Sequence, residues 1–175
     1  AALDEMTKNG YRVLAVAETT HAGKDFPKQQ QDFKFQFKGL VAFYDPPKKN
    51  ITEVLSAFEK AGIAVKIITG DNEATTRNIA AQIQFKDYDK SLDGEELVKL
   101  SDKELDEQVM QVNIFTRMFP DAKLKVIEAL KRNNEVVAMT GDGVNDAPAL
   151  KSAHIGIAMG KKGTEIAKQA SSMII

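Results

Sequence analysis

The sequence predicts an α/β fold, a parallel sheet with helices on both faces. Three observations carry that reading. Through residues 48–175, short apolar runs of strand length alternate with amphipathic stretches of helix length, the rhythm of βαβ units. Two of those runs, residues 64–69 and 136–139, are mostly apolar, as in strands covered on both sides. Both lead into the same string, Thr69-Gly70-Asp71 and Thr140-Gly141-Asp142. In parallel sheets the carboxyl ends of strands are where ligands bind.

Element by element, residues 3–10 read as the end of a helix closed by Gly10. Residues 12–18 read as a buried strand. Residues 21–32 hold Gly23, Pro27 and three glutamines and predict a loop. Phe33, Phe35 and Phe37 alternate with Lys34, Gln36 and Lys38, a period of two that predicts a half-buried strand running on through residue 43. Asp45-Pro46-Pro47 breaks the chain, because proline removes a donor and restricts its neighbours. A domain boundary is placed there, dividing residues 1–44 from 45–175.

Beyond it, Asn50 and Glu53 form a capping-box pattern before a helix with Ile51, Val54, Leu55 and Phe58 on one face and Gly62 as its stop. Residues 64–69 are a strand and 72–84 a helix with Ile79, Ala80 and Ile83 inward. Residues 87–111 read as a polar insertion with short helices around Leu97 and Leu105. Then come a strand at 112–115, a helix at 120–133 with Leu124, Ile127 and Leu130 inward, a strand at 136–139, a helix at 147–152, a strand at 155–159, a helix at 164–170 and a strand beginning at Met173.

Composition bounds the function. The 175 residues carry 24 Lys plus Arg and 25 Asp plus Glu, a net charge of −1. A general nucleic-acid binder needs a basic excess and is excluded. With 43% hydrophobic and 28% charged residues the chain is globular. No cysteine is present, so thiolate metal sites and disulfides are out. No apolar run approaches the roughly 18 residues of a membrane span, and residues 1–10 lack a signal-peptide pattern.

The loop after the second Thr-Gly-Asp continues Gly143-Val144-Asn145-Asp146-Ala147-Pro148-Ala149-Leu150. A lone Asp-Gly is an ordinary turn. Two carboxylates four residues apart with an amide between them, following a buried strand, exceed what a turn requires. They make an oxygen-rich site suited to Mg²⁺, which takes one or two carboxylates plus water and phosphate. Each glycine is expected to let the chain turn where a side chain would clash. Asp71 alone reads equally as a structural strand-end acid before an Asn cap. Lys123 lies in the first turn of a helix, where a cation opposes the dipole. It is either a solvated surface lysine or the partner of an anion, for which a phosphoryl group is the natural candidate.

These strings closely resemble the cytoplasmic part of a P-type cation-transporting ATPase of the calcium-pump kind, within the haloacid dehalogenase-like superfamily. The matching stretches are Asp45-Pro46-Pro47, Thr69-Gly70-Asp71-Asn72, Pro120 with Lys123, residues 140–151, and Gly156-Ile157-Ala158-Met159-Gly160 followed by Gly163-Thr164-Glu165. The resemblance implies a Rossmann-like parallel sheet in which residues 1–44 are the remnant of a nucleotide-binding domain and 45–175 part of a phosphorylation domain. It implies that Asp142 holds Mg²⁺ with Asp146 close behind, that Lys123 contacts the transferred phosphoryl group, and that Thr69, Gly70 and Asp71 line its pocket with Asn145 hydrogen-bonding there. Arg12 and Arg117 resemble nucleotide-side arginines, although Arg12 also reads as a solubilising charge at a strand edge.

The family's Asp-Lys-Thr-Gly-Thr loop, which carries the phosphorylated aspartate, does not occur in the 175 residues. The resemblance therefore implies an incomplete sheet, without its first and nucleophile-bearing strand, and an isolated chain without ATPase activity. Implied partners are ATP, the remaining domains of a longer chain, a transported cation (Ca²⁺ by closest match) bound in membrane helices elsewhere, and a second copy of the chain through unpaired strand edges. The segment would lie on the cytoplasmic side of a membrane. The alternatives are a soluble phosphatase of the same superfamily, which needs an Asp-x-Asp nucleophile motif that residues 1–10 lack, and a non-catalytic phosphate- or nucleotide-binding module.

Overall fold

Two antiparallel strands precede a parallel α/β body in the structure, a computed structural model that describes residues 3, 5–6, 9, 11–23, 25–44 and 46–175. Gly10 and Asp45, named above as a helix stop and as part of the boundary, lie outside the described residues.

Strand β1 (Arg12–Glu18) pairs with β2 (Gln36–Phe43), Arg12 opposite Phe43, with a bulge between Val16 and Ala17. The ladder starts later than the phenylalanine alternation predicts. Phe33 and Phe35 stay outside it, and Phe33 meets His21 edge-on while His21 stacks on Phe26. Nor is β1 buried: Leu14 is 52% exposed and Val16 44%. A two-stranded ribbon has no third strand or helix of its own to cover its faces.

The body begins with α1 (Ile51–Lys60) and β3 (Ile67–Ile68), followed by α2 (Glu73–Gln82). Strand β4 (Ser91–Asp93), α3 (Gly94–Leu97) and α4 (Asp102–Gln111) form the insertion. Then come β5 (Ile114–Thr116), α5 (Pro120–Arg132), β6 (Ala138–Gly141), α6 (Ala147–Ser152), β7 (Ile155–Ala158), α7 (Glu165–Ala170) and β8 (Met173–Ile174). The predicted parallel α/β class is what the chain adopts. The capping box at Asn50 does not form, since the Asn50 side chain makes no cap bond. Side-chain caps form instead at Asn72 on α2 and, as a full capping box, at Ser101 with Glu104 on α4. Leu124 is only half-buried; Ala122, Val126 and Ala129 fill the inner face of α5 instead.

The parallel strands form two sheets, ordered β3-β5-β4 and β6-β7-β8. Strand β5 shows why both faces need helices. Ile114 points into a cluster with Ala80, Ile83 and Phe85, against which α1 packs Ile51 and Leu55. Its neighbour Phe115 points the other way, into the main core with Leu105, Val126 and Ile127, as successive strand residues must. That main core also takes Met139 of β6, Leu150 of α6 and Ala158 of β7, so both sheets share it.

Strands β3 and β6 nevertheless end their sheets. The Ile67 N–H donates to Asn113 O (2.8 Å) and the Thr69 N–H to Phe115 O (2.9 Å), which turns the Ile68 backbone to the opposite edge. In β6, Val137 O accepts from the Ile155 N–H and Gly141 O from the Met159 N–H, which turns Ala138 and Thr140 outward. Among the described residues no strand pairs with either edge.

Candidate functional site

The loop after β3 is fixed from two directions. Asn72 Oδ1 accepts the Thr75 N–H at 3.0 Å and starts α2, while Thr69 Oγ1 accepts the Asp71 N–H at 3.1 Å. Arg117, just past β5, adopts φ 49°, a left-handed conformation that points its N–H back at this loop. Arg117 N–H donates to Asp71 O (2.8 Å) and Met118 N–H to Thr69 O (2.9 Å). Gly70 is not sterically required here: a Cβ would sit 3.7 Å from Met118 O, ordinary contact distance, so the expected clash is absent at this glycine.

From that turn the chain enters α5 with Pro120 in its first turn, and Lys123 follows. Lys123 Nζ donates to Asp146 Oδ1 at 2.6 Å, the two side chains being 12% and 11% exposed. The anion that a first-turn lysine calls for is, within this chain, the Asp146 carboxylate. Asp146 Oδ2 in turn accepts the N–H groups of Asp142 (3.2 Å) and Gly143 (3.1 Å). Burial pushes the Asp146 carboxyl pKa up, but the Lys123 hydrogen bond, the two amides and the Lys123 charge outweigh it and hold the group below the usual 3.8. Here the glycine does matter: a Cβ on Gly141 would lie 2.7 Å from Asp146 Cβ. The carboxylate tucks under the loop because position 141 has no side chain.

With Asp146 holding the loop from beneath, Asp142 stands exposed, and its carboxylate has no protein partner among the described residues. Its carbonyl accepts the Thr164 N–H at 2.8 Å, which ties the β7–α7 connection to the same rim. Asn145 is exposed on the intervening 3₁₀ turn, Val144–Asp146. Among the described residues no group of three or more His, Asp or Glu side chains converges on a metal position.

One set of hydrogen bonds thus ties Thr69 and Asp71 to the turn that opens α5, and a second ties Lys123, on α5, to the Asp142–Asp146 loop. Arg12, on β1, lies across a cavity of about 480 Å³ from Gly70, Asp71 and Thr75. Arg117 does not line that cavity. Its guanidinium lies toward Asp93, Nε to Oδ2 3.7 Å, in a recess with Glu73, Glu95 and Glu96. Three participants escape sequence reading: Asp93 and Gly94 fall within what reads as a polar insertion, and Thr164 reads only as the start of a helix.

This architecture, with strand-end acids on neighbouring parallel sheets and a lysine on the intervening helix, defines the class. Residues 3–154 match the family model of haloacid dehalogenase-like hydrolases, and the chain belongs to that family. Within it the chain is similar to cation-transporting ATPases. It is 40% identical over 176 residues to calcium-transporting ATPase 1 of Saccharomyces cerevisiae, covering 98% of this chain and 18% of that protein. It is 41% identical to the probable cation-transporting ATPase F of Mycobacterium tuberculosis and 38% to a calcium-transporting ATPase of Bacillus subtilis. The alignments cover 99% and 100% of this chain and 20% of each of those relatives. The chain thus spans about a fifth of the length of these curated relatives. No helix among the described residues is long and apolar enough to cross a membrane.

Proposed function

We propose that these residues are the cytoplasmic part of an ATP-driven cation pump that binds the transferred phosphoryl group and its Mg²⁺, the phosphorylated aspartate residing on a strand outside the 175 residues. The observation that supports this most is the pair of hydrogen-bond sets that tie Thr69 and Asp71 to the turn opening α5, and Lys123 of α5 to the Asp142 loop, beside edge strands β3 and β6 that each pair on one side only among the described residues.

The residues divide the work by chemistry. Arg12 supplies a cation across the cavity from Asp71 and receives nucleotide phosphates; Arg117 is a second nucleotide-side cation. Thr69 and Gly70 line the phosphoryl pocket and Asn145 offers it an amide. Lys123, held in place by Asp146, meets the transferred group. An aspartate oxygen then attacks the γ-phosphorus, the bond to the β-phosphate oxygen breaks and ADP leaves; water later cleaves the acyl phosphate. Positioning and charge neutralisation dominate such transfers.

The donor set fits Mg²⁺. Asp142 offers a carboxylate unengaged among the described residues, and Mg²⁺ is content with one or two carboxylates when water and phosphate complete its shell. Both Asp146 oxygens are already engaged, so Asp146 acts from behind, by holding the loop. When bound, Mg²⁺ neutralises charge on the phosphoryl oxygens. The transported cation, Ca²⁺ in this reading, binds in membrane helices beyond this chain. Residues 1–44 belong with the nucleotide-binding domain and 45–175 with the phosphorylation domain.

The experiment uses the longer protein containing this chain. Asp142→Asn is expected to abolish Mg²⁺-dependent phosphoenzyme formed from ATP while leaving the fold intact. Normal phosphoenzyme levels in that variant would overturn the assignment of Asp142. The isolated chain is expected to show no ATP hydrolysis, and sustained turnover by the purified chain would mean that the nucleophile lies within it.

A further inference from the structure

Resting on the reading of Arg117 as a nucleotide-side cation, we propose that Asp93 is an internal competitor that withholds the Arg117 guanidinium from polyphosphate until ligand draws it away.

The Arg117 backbone is tied to the phosphoryl-pocket loop through its N–H to Asp71 O. Its side chain leaves the Arg12 cavity and lies in the recess formed by Glu73, Ser91, Asp93, Glu95 and Glu96. The acids there are not equivalent. Glu73 Oε1 is already occupied by Arg77 and by the Ser91 hydroxyl, at 2.8 and 2.7 Å. Asp93 is the recess acid ion-paired with Arg117. Its two oxygens are divided: Oδ1 accepts the Glu95 N–H at 2.9 Å and caps α3, while Oδ2 lies 3.7 Å from Arg117 Nε. That separation is an ion pair without a hydrogen bond.

The geometry also makes the contact hard to avoid. A Cβ on Gly94 would fall 2.6 Å from Arg117 O, so the β4–α3 junction is pressed directly against the Arg117 turn. Holding that turn there brings Asp93 alongside the guanidinium. The pair is weak by construction. Arg117 is 59% exposed against 23% for Asp93, and solvent screens such pairs to a modest worth. A restraint of that size is one a polyphosphate can displace. The polar insertion, residues 87–111, thereby sets how readily the site takes an anionic ligand.

Asp93→Asn separates the two jobs of this side chain, since the amide oxygen still caps Glu95 while the charge is lost. The measurement is NMR on the whole 175-residue chain, following the Arg117 and Arg12 side-chain Nε–Hε signals during titration with inorganic triphosphate. Without ligand, Arg117 Nε–Hε should be restrained in the wild type and mobile in Asp93→Asn. Triphosphate should bind two- to fivefold more tightly to Asp93→Asn, and the gain should fade as salt rises toward 1 M. Glu96→Gln removes the same charge from the same recess without touching Arg117 and should leave affinity within experimental error. Triphosphate that moves Arg12 but binds both forms equally would overturn the role of Asp93 and leave the phosphate site standing. An equal gain from Glu96→Gln would overturn it too, reducing the effect to net charge. Triphosphate that moves neither arginine would overturn both.

Discussion

Replacing Asp146 by alanine tests the packing logic of the site without reference to any ligand. In the folded chain the Lys123 side chain is 12% exposed, and its ammonium donates to Asp146 Oδ1 at 2.6 Å. Removing the carboxylate leaves a largely buried cation without a counterion and releases the amides of Asp142 and Gly143. Breaking a buried pair from one side costs about 3–5 kcal/mol. Lys123 retains some access to water on a flexible stem, which favours the low end, about 3 kcal/mol. For a chain of this length that corresponds to a drop of roughly 6–12 °C in melting temperature. Urea unfolding of the wild type, Asp146→Ala, Lys123→Met and the double variant closes a thermodynamic cycle. The double variant should recover most of the loss, because no unpaired charge remains. A loss under about 1 kcal/mol in Asp146→Ala, or strictly additive losses, would mean that Lys123 and Asp146 do not act as a buried pair, since an exposed pair is worth no more than that.

Other outcomes follow from single contacts. Asn72→Ala should cost α2 about 1 kcal/mol, measured by urea unfolding, whereas Asn50→Ala should be close to neutral because that side chain caps nothing. Gly141→Ala should destabilise by about 1–3 kcal/mol and Gly70→Ala by much less, since only the first would drive a Cβ into Asp146. Because the folded Asp146 carboxyl has its pKa below the unfolded value of 3.8, the stability it contributes is complete above that pH and drains away as acid protonates the unfolded chain first. Asp146→Asn should therefore flatten the acid limb of a stability–pH curve below about pH 4. The edges of β3 and β6 that are unpaired among the described residues should promote association of the isolated chain, read by light scattering as a concentration-dependent mass.

Much of the body was legible because its signals are local. Pro120, Asn72 and the apolar spacing of α5 predict their elements without knowledge of the rest, and residues 147–152 form the helix expected of them. Strand β4 was not legible. Ser91-Leu92-Asp93 has no apolar run, and its strand character comes from lying beside β5, a tertiary fact. The burial of β1 was overestimated for the converse reason: Val13 to Ala17 have core composition, but burial depends on a neighbour that a two-stranded ribbon lacks. At the site, repetition of Thr-Gly-Asp marked both loops, yet the two glycines proved unequal. Only Gly141 has a carboxylate folded beneath it. That Lys123 meets Asp146, and that Arg117 turns toward Asp93, depends on crossings of the chain that no short string encodes.

In the proposed function the loops after β3 and β6, with Lys123 between them, form one site for a divalent ion and a phosphoryl group. Mn²⁺ offers the most direct measurement, as a paramagnetic stand-in for Mg²⁺ added with inorganic phosphate to the isotopically labelled chain. Line broadening should centre on the amides of Asp142–Asn145, extend to Thr69–Asp71 and disappear in Asp142→Asn. Broadening centred instead on the acidic recess around Glu95 and Glu96, or unchanged by Asp142→Asn, would contradict that site.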